Sequence, residues 1–289
     1  MIYMKIYSDM TFDEERALYG VKDVKIKNCS FEGPADGESA LKETSDIDVE
    51  DCRFLLRYPL WHVTGGDVKR CVMTETCRAA LWYDEDIRIS DSTLGGIKAL
   101  RECKDVTLNN CKIDSTEFGW FCGDIKMNDC ELSSEYPFLK SKNMEFENLN
   151  MTAKYSFQYV EDVTIRNSNL NTKDAFWHSK NVTVYDSVVR GEYLGWYSEG
   201  LRLVRCKIIG TQPLCYAKGL VLEDCEMIDC DLAFEKSDVR AEINGNILSV
   251  KNPKSGKIVA DSIGEIIRDD ADAEGACEID ILSALSRCS

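Results

Sequence analysis

The sequence predicts an all-β protein, a single-stranded parallel β-helix of about eleven or twelve short coils built on a 19-residue repeat. Three observations predict it. Cys29, Cys52, Cys71, Ser92, Cys111, Cys130, Leu149, Ser168, Ser187, Cys206 and Cys225 form a column in which every step from Ser92 onward is 19 residues. Just before each member, apolar residues alternate, as in Val106/Leu108 and Val163/Ile165, the period-two signature of a strand with one buried face. Between strand and column stands a polar residue, Asn or Asp at positions 28, 51, 91, 110, 129, 148, 167, 186 and 224. Asn and Asp tolerate turn conformations and bond their own backbone, so this position reads as a bend.

Each coil therefore reads as a strand, a bend, a small inward residue and an apolar residue two places later. Stacking coils turns each position into a ladder, with the thiols of the cysteine column expected to pack as small hydrophobes. Helical solenoids use longer units with helical periodicity, and the Leu/Asn spacing of leucine-rich repeats does not match. Each coil contacts only its neighbours, so the ends need caps. Residues 1–20 suit the first cap, with Thr11 to Tyr19 as a short helix, and residues 21–238 hold the regular coils. Over 239–289 the register blurs, Asn252-Pro-Lys-Ser-Gly256 marks a turn, and the chain reads as last coils followed by a polar tail or closing helix. No linker interrupts the repeat, so 1–289 reads as one domain.

The charge balance narrows the partners. With 51 acidic against 35 basic residues, a net charge of −16, the chain lacks the clustered Lys and Arg that phosphate neutralisation on a nucleic acid requires. The same balance disfavours anionic membranes and polyanionic sugars. No apolar run approaches a membrane span, and the first ten residues lack the basic and apolar regions of a signal peptide. The fourteen cysteines are then expected as thiols in a cytoplasmic protein. The sequence does not fix the oligomeric state.

The phrases Gly33-Pro-Ala-Asp-Gly-Glu-Ser-Ala-Leu-Lys-Glu43, Arg57-Tyr-Pro-Leu-Trp-His62, Arg78-Ala-Ala-Leu-Trp-Tyr83 and Asp174-Ala-Phe-Trp-His178 resemble a bacterial family of unknown function, whose members are sometimes labelled "hydrogenase". The resemblance covers nearly the whole chain. It implies a pectin-lyase-like, right-handed β-helix and transfers no activity and no catalytic residues.

A second column carries the chemistry. Ten residues before each cysteine-column position, from Cys52 on, stand Lys42, Trp61, Trp82, Arg101, Trp120, Leu139, Gln158, Trp177, Trp196 and Cys215. All five tryptophans of the chain lie in it. The next position holds Glu43, His62, Tyr83, Glu102, Phe121, Lys140, Tyr159, His178, Tyr197 and Tyr216, including both histidines. Aromatic rings beside hydrogen-bonding groups suit a sugar or another flat polar ligand; the alternative is a Trp stack that fills the core. Two longer steps, 23 residues from Cys29 to Cys52 and 21 from Cys71 to Ser92, enlarge Gly33–Glu38 and Thr74–Cys77 beside the first Trp residues. Loops on a rigid scaffold often carry function.

The leading expectation is a β-helix that binds a carbohydrate or sugar-like metabolite, with its processing as the enzymatic extension. As an enzyme it would be a carbohydrate-active hydrolase, lyase or epimerase. Glu43, His62 and Glu102 are the acid–base candidates, with Arg78 and Arg101 fixing an anionic or hydroxyl-rich group. Lys42, Trp61, Trp82, Tyr83, Trp120, Gln158, Trp177, His178 and Trp196 would line the ligand. The competing expectation is a non-enzymatic scaffold that uses the same face for a protein partner, since Trp, Tyr and Arg dominate interface hot spots. A groove with converging Glu and His would favour the enzyme, and a flat aromatic strip the partner.

No cofactor is expected. The Gly-His-Gly segment of polygalacturonase-type enzymes is missing, and Asp84, Asp86 and Asp91 fall at different points of the coil, where they read as solvated turn residues. No Cys-x-x-Cys spacing supports a nickel–iron or iron–sulfur centre. The one metal candidate is the set Cys103, Cys111, Cys122 and Cys130, two stacked pairs on adjacent coils.

Overall fold

A computed structural model describes residues 5–32, 38–270 and 277–282. It divides into two compact units, Met1–Asn150 and Met151–Ser289. Both are parallel β-helix coils, as the repeat predicts.

In the first unit the six-residue strands Lys22–Lys27, Ser45–Glu50, Thr64–Lys69, Glu85–Ser90, Lys104–Asn109, Gly123–Asn128 and Lys142–Glu147 pair in parallel, each with the next. A second ladder of short strands follows the bend in each coil, from Thr11–Phe12 through Arg53–Phe54 to Lys112–Asp114 and Glu131–Glu135. A third, two residues wide, joins Leu60–Trp61, Leu81–Trp82 and Leu100–Arg101. The second unit repeats the plan, with Glu161–Arg166, Lys180–Tyr185, Arg202–Val204 and Leu220–Ile228 in parallel register.

The coils reach further than the cysteine column. Lys5–Ser8 pairs with Lys22–Lys27, and residues 15–20 are turns, so the stretch expected as a helical cap is itself a coil. Past residue 239 the register does not dissolve. Asp238–Lys251 and Ser255–Ile267 are long parallel strands with a bulge between Ile243 and Asn246, and Cys277–Ile281 pairs with the second of them. The coil has shortened, which is why a 19-residue frame loses it. The polar tail expected at 269–289 lies mostly outside the described residues. Among the described residues, no helix is long and apolar enough to cross a membrane.

The bend column is a column of left-handed backbone. Asn110, Asp129, Asn148, Asn167 and Asp186 have φ between 49° and 53°, a region Asn and Asp enter at low cost. Arg70 and Arg205 share it, at φ 51° and 52°, each clasping the Asp one coil earlier, Asp51 and Asp186. A second left-handed Asp/Asn column opens each long strand, at Asp23, Asp46, Asp86, Asp105, Asp124 and Asn143, then Asp162 and Asn181.

The inward cysteines do more than fill space. The left-handed residue before each one turns the following N–H out of the strand ladder and into the interior, where it needs an acceptor. The next coil supplies it: Cys29 N–H donates to Cys52 Sγ at 3.4 Å, Cys52 N–H to Cys71 Sγ at 3.4 Å and Cys71 N–H to Ser92 Oγ at 3.0 Å. Each thiol or hydroxyl in turn donates to a carbonyl two residues back, as Cys52 to Glu50 and Ser92 to Ser90. Cys and Ser recur because both are small and both can accept and donate. Around them the core is aliphatic, with a Phe12–Phe31–Phe54 stack in the first unit at centroid spacings of 5.0 and 4.9 Å.

Candidate functional site

The aromatic column sits at a corner of the coil. Leu60, Leu81 and Leu100 are fully buried, the Trp position after each is half-buried, and the position after that points outward. Every member of the outer row is in left-handed conformation, from Glu43 (φ 59°) and His62 (57°) to Tyr197 (58°) and Tyr216 (59°). The backbone turn lets two successive side chains leave the core before the next, Val63 or Cys103, returns to it. The tryptophans thus line the surface without being fully exposed.

The rings stack on one another. In the first unit Trp61 and Trp82 lie 5.3 Å apart and 9° from parallel, with His62 on Tyr83 at 5.0 Å beside them. The Lys42 ammonium closes the free face of Trp61, 3.9 Å from its ring centre. In the second unit Trp177 stacks on Trp196 at 5.5 Å, and Tyr159, His178, Tyr197 and Tyr216 form an unbroken ladder at 4.9, 5.0 and 4.9 Å. Tyr159 and Tyr197 are 50% and 43% exposed. Within such a ladder the faces are taken, and the ring edges with their hydroxyls and imidazole nitrogens meet solvent. Gln158, expected beside them, is instead buried, donating from Nε2 to the Asp174 carbonyl at 3.4 Å.

The indole nitrogens divide into two groups. Trp120, Trp177 and Trp196 donate to the carbonyl sixteen residues on, at Tyr136, Tyr193 and Gln212, over 2.5 to 2.8 Å. Trp120 and Trp196 stand edge-on to the neighbouring Tyr136 and Tyr193 rings. Trp61 and Trp82 turn differently, each nearly parallel to the ring that follows it, His62 or Tyr83. Their Nε1 atoms are buried and have no acceptor. Trp82 Nε1 lies near enough to the Tyr83 hydroxyl to influence it, but not in hydrogen-bonding geometry. An unmet buried donor costs about 1–3 kcal/mol. The column three residues earlier, Tyr58, Tyr136 and Tyr193, was not singled out in the sequence. Its signal was a Tyr recurring at the same place in the coil, sixteen residues after Trp120 and Trp177.

The acid–base candidates are not brought together. Glu43, His62, Tyr83 and Glu102 occupy consecutive coils, so the two carboxylates are three coil steps apart, roughly 14 Å at a strand spacing of ~4.8 Å. Paired carboxylates of glycosidases stand about 5–9.5 Å apart. His62 and Tyr83 fill the interval as a stack, and Glu102 accepts from Arg101 Nε at 3.0 Å. The Glu102 carboxylate near the Tyr83 hydroxyl raises the pKa of that phenol. Arg101 lies over Trp120 and Phe121 at 5.7 and 5.5 Å. Arg78 is exposed, and its guanidinium meets no partner among the described residues.

Two expectations are corrected. Asp84 is not a solvated turn residue: it is 1% exposed, accepts the Val63 N–H at 2.8 Å through Oδ1, and has no partner for Oδ2. Burial raises its pKa well above the usual carboxylate value. It belongs to a second inward ladder, in which Asp84 N–H donates to Cys103 Sγ, Cys103 N–H to Cys122 Sγ and Cys122 N–H to Ser141 Oγ. Cys103, Cys111, Cys122 and Cys130 are divided between the two inward ladders, and among the described residues no three His, Cys, Asp or Glu side chains are grouped to hold a metal. Burial pushes the Cys122 thiol up to about 12 and Cys103 well above its usual value.

Of the two longer steps, Gly33–Gly37 lies outside the described residues. Thr74–Cys77 is folded down onto the preceding coil, with Thr76 Oγ1 donating to the Leu55 carbonyl and Cys77 Sγ to that of Phe54.

Residues 5–280 match the family described as a protein of unknown function, DUF3737, and the chain belongs to it. No curated protein matches. Among solved structures the chain is similar to the A-module of the mannuronan C-5 epimerase AlgE4 of Azotobacter vinelandii, at 10% identity and a TM-score of 0.38, covering 83% of this chain and 89% of that one. It is also similar to PfbA, a surface adhesin of Streptococcus pneumoniae, at 10% identity and 0.31, covering 84% and 75%. A third is QnrB1, a plasmid-mediated fluoroquinolone resistance protein, at 12% identity and 0.22, covering 78% and 92%. The likeness concerns the fold alone.

Proposed function

We propose that this member of a family of unknown function is a cytoplasmic binding protein that holds an oligosaccharide or similar hydroxyl-rich ligand along its aromatic face, without catalysing its conversion. The supporting observation is the Tyr159–His178–Tyr197–Tyr216 ladder, which presents the same kind of polar ring edge once per coil, at 4.9 to 5.0 Å. A site that repeats its chemistry suits a ligand that repeats its own. Binding rather than catalysis follows from the separation of Glu43 and Glu102 and from the engagement of Glu102 with Arg101.

A protein partner is the second reading, favoured by one fact. Stacking closes the ring faces on which sugars commonly rest, leaving a flat strip of Tyr, Trp and His. A thermal-shift screen of the full chain against neutral and acidic mono- and oligosaccharides separates the two. A ligand at a hundred times its Kd stabilises by about 2.7 kcal/mol, and His178→Ala/Tyr197→Ala is expected to remove the shift. If no sugar shifts the native protein while a photocrosslinker at position 197 captures one defined protein, the partner reading replaces the sugar.

A further inference from the structure

We infer that Trp61 and Trp82, covered by Tyr58, form the anchor point for an anionic oxygen group, a carboxylate or phosphate, on the bound ligand. The inference rests on the ligand reading above and names the chemistry of one point on the first unit. Its first support is the contrast among five equivalent tryptophans. Three satisfy their indole N–H on a backbone carbonyl, whereas Trp61 and Trp82, on adjacent coils, hold theirs buried without an acceptor. A buried donor left unmet in the free protein is a donor ready for an acceptor brought from outside. Two stacked indoles offer two such donors side by side.

The second support is what surrounds them. Lys42 lies on the face of Trp61, and Arg78, four residues before Trp82, has a guanidinium that meets no partner among the described residues. Tyr58 N–H donates to the Arg78 carbonyl at 2.9 Å, so Arg78 and Lys42 bring positive charge to this corner of a chain whose net charge is −16. That corner suits one negative group and does not suit a polyanion. Glu43 borders the site and sets the same limit. Access runs through Tyr58, half-buried, whose ring lies across both indoles at 5.5 and 5.6 Å. Tyr58 is the ring whose displacement would uncover the two nitrogens.

The test is indole N–H spectroscopy on the full chain labelled with 15N-tryptophan. Trp61→Phe and Trp82→Phe assign two of the five resonances while keeping an aromatic ring in the stack. Titration with glucuronate, with a sugar phosphate, with glucose and with inorganic phosphate alone is expected to move those two resonances for the anionic ligands. The Trp120, Trp177 and Trp196 signals stay in place. Arg78→Gln is expected to weaken anion affinity about tenfold, and Tyr58→Ala to speed solvent exchange of the same two protons. The glucuronate and phosphate arms show which source of the charge is preferred. If sugars bind by thermal shift but the two resonances do not move, or move equally with glucose, the anchor is refuted and the binding reading stands. If no sugar binds but inorganic phosphate moves the pair, the anchor stands and the sugar reading falls.

Discussion

Replacing Asp84 by Asn is expected to remove a pH dependence that a single buried carboxyl builds into the first unit. The wild-type side chain has one oxygen on the Val63 N–H and the other without a partner, inside a ladder of thiols and hydroxyls. Burial raises its folded-state pKa well above the ordinary value, so the folded chain holds a proton that the unfolded chain releases above about pH 3.9. The sign follows. The group's contribution to stability is fully present below the unfolded pKa. It is lost as pH rises toward the folded pKa, at about 1.4 kcal/mol per pH unit for one proton. The substituted amide keeps an acceptor for the Val63 N–H and cannot ionise. Urea denaturation of both proteins at pH 5, 6, 7 and 8 should show the Asp84→Asn curve gaining on wild type by up to that slope, with the gap levelling off above the folded pKa. Two parallel curves would refute the reasoning, because they would mean that the carboxyl finds a partner or water that the buried ladder does not provide.

Four further outcomes follow from the same geometry. Cys52→Ala leaves the Cys29 N–H without its acceptor and should destabilise by about 1–3 kcal/mol, whereas Cys52→Ser, which can accept and donate as Ser92 does, should recover most of it; chemical denaturation measures both. The thirteen described cysteines are buried and free, and burial pushes thiols such as Cys122, Cys215 and Cys230 up to about 12. They should resist Ellman's reagent in the native protein and react on unfolding; fast labelling of Cys122 at neutral pH would contradict the ladder. Gly191→Ala places a methyl 1.9 Å from the Thr172 carbonyl at φ +156° and should cost about 2 kcal/mol or more in urea titration, a loss that a freely accommodating turn would not show. Glu102→Gln should leave sugar binding within about twofold, because its carboxylate is spent on Arg101; a large loss by calorimetry would return Glu102 to the ligand.

How far the sequence carried these conclusions can be judged residue by residue. The cysteine column was legible because a strict 19-residue period leaves no choice about which positions stack. Its hydrogen-bonding role was not, because it depends on which way an N–H turns after a left-handed residue. Asp84 misled for a related reason. Polarity alone places an Asp on the surface, but Tyr83 at φ 58° rotates the next side chain into the core. The same turn explains why neither simple alternative for the tryptophans held. Alternation permits one outward residue between two inward ones, and this corner permits two, so Trp61 is half-buried and His62 exposed.

The departures from regularity gather in one place. The coil from Cys71 to Ser92 carries the extra residues Thr74–Cys77, the buried Asp84 and one of the two indoles without an acceptor. The coil before it carries the other indole. Each feature breaks a rule that neighbouring coils obey, and each is unfavourable or neutral for stability taken alone. Sequences tend to agree with their fold at every level except where function requires otherwise. A ladder that could have placed Ser or Cys at position 84, and turned Trp61 and Trp82 as it turns Trp120, instead keeps a cluster of unmet groups on adjacent coils. Folding alone would favour the satisfied arrangement that Trp120, Trp177 and Trp196 adopt, so the unmet donors of Trp61 and Trp82 mark the corner of the first unit where the anchor is proposed.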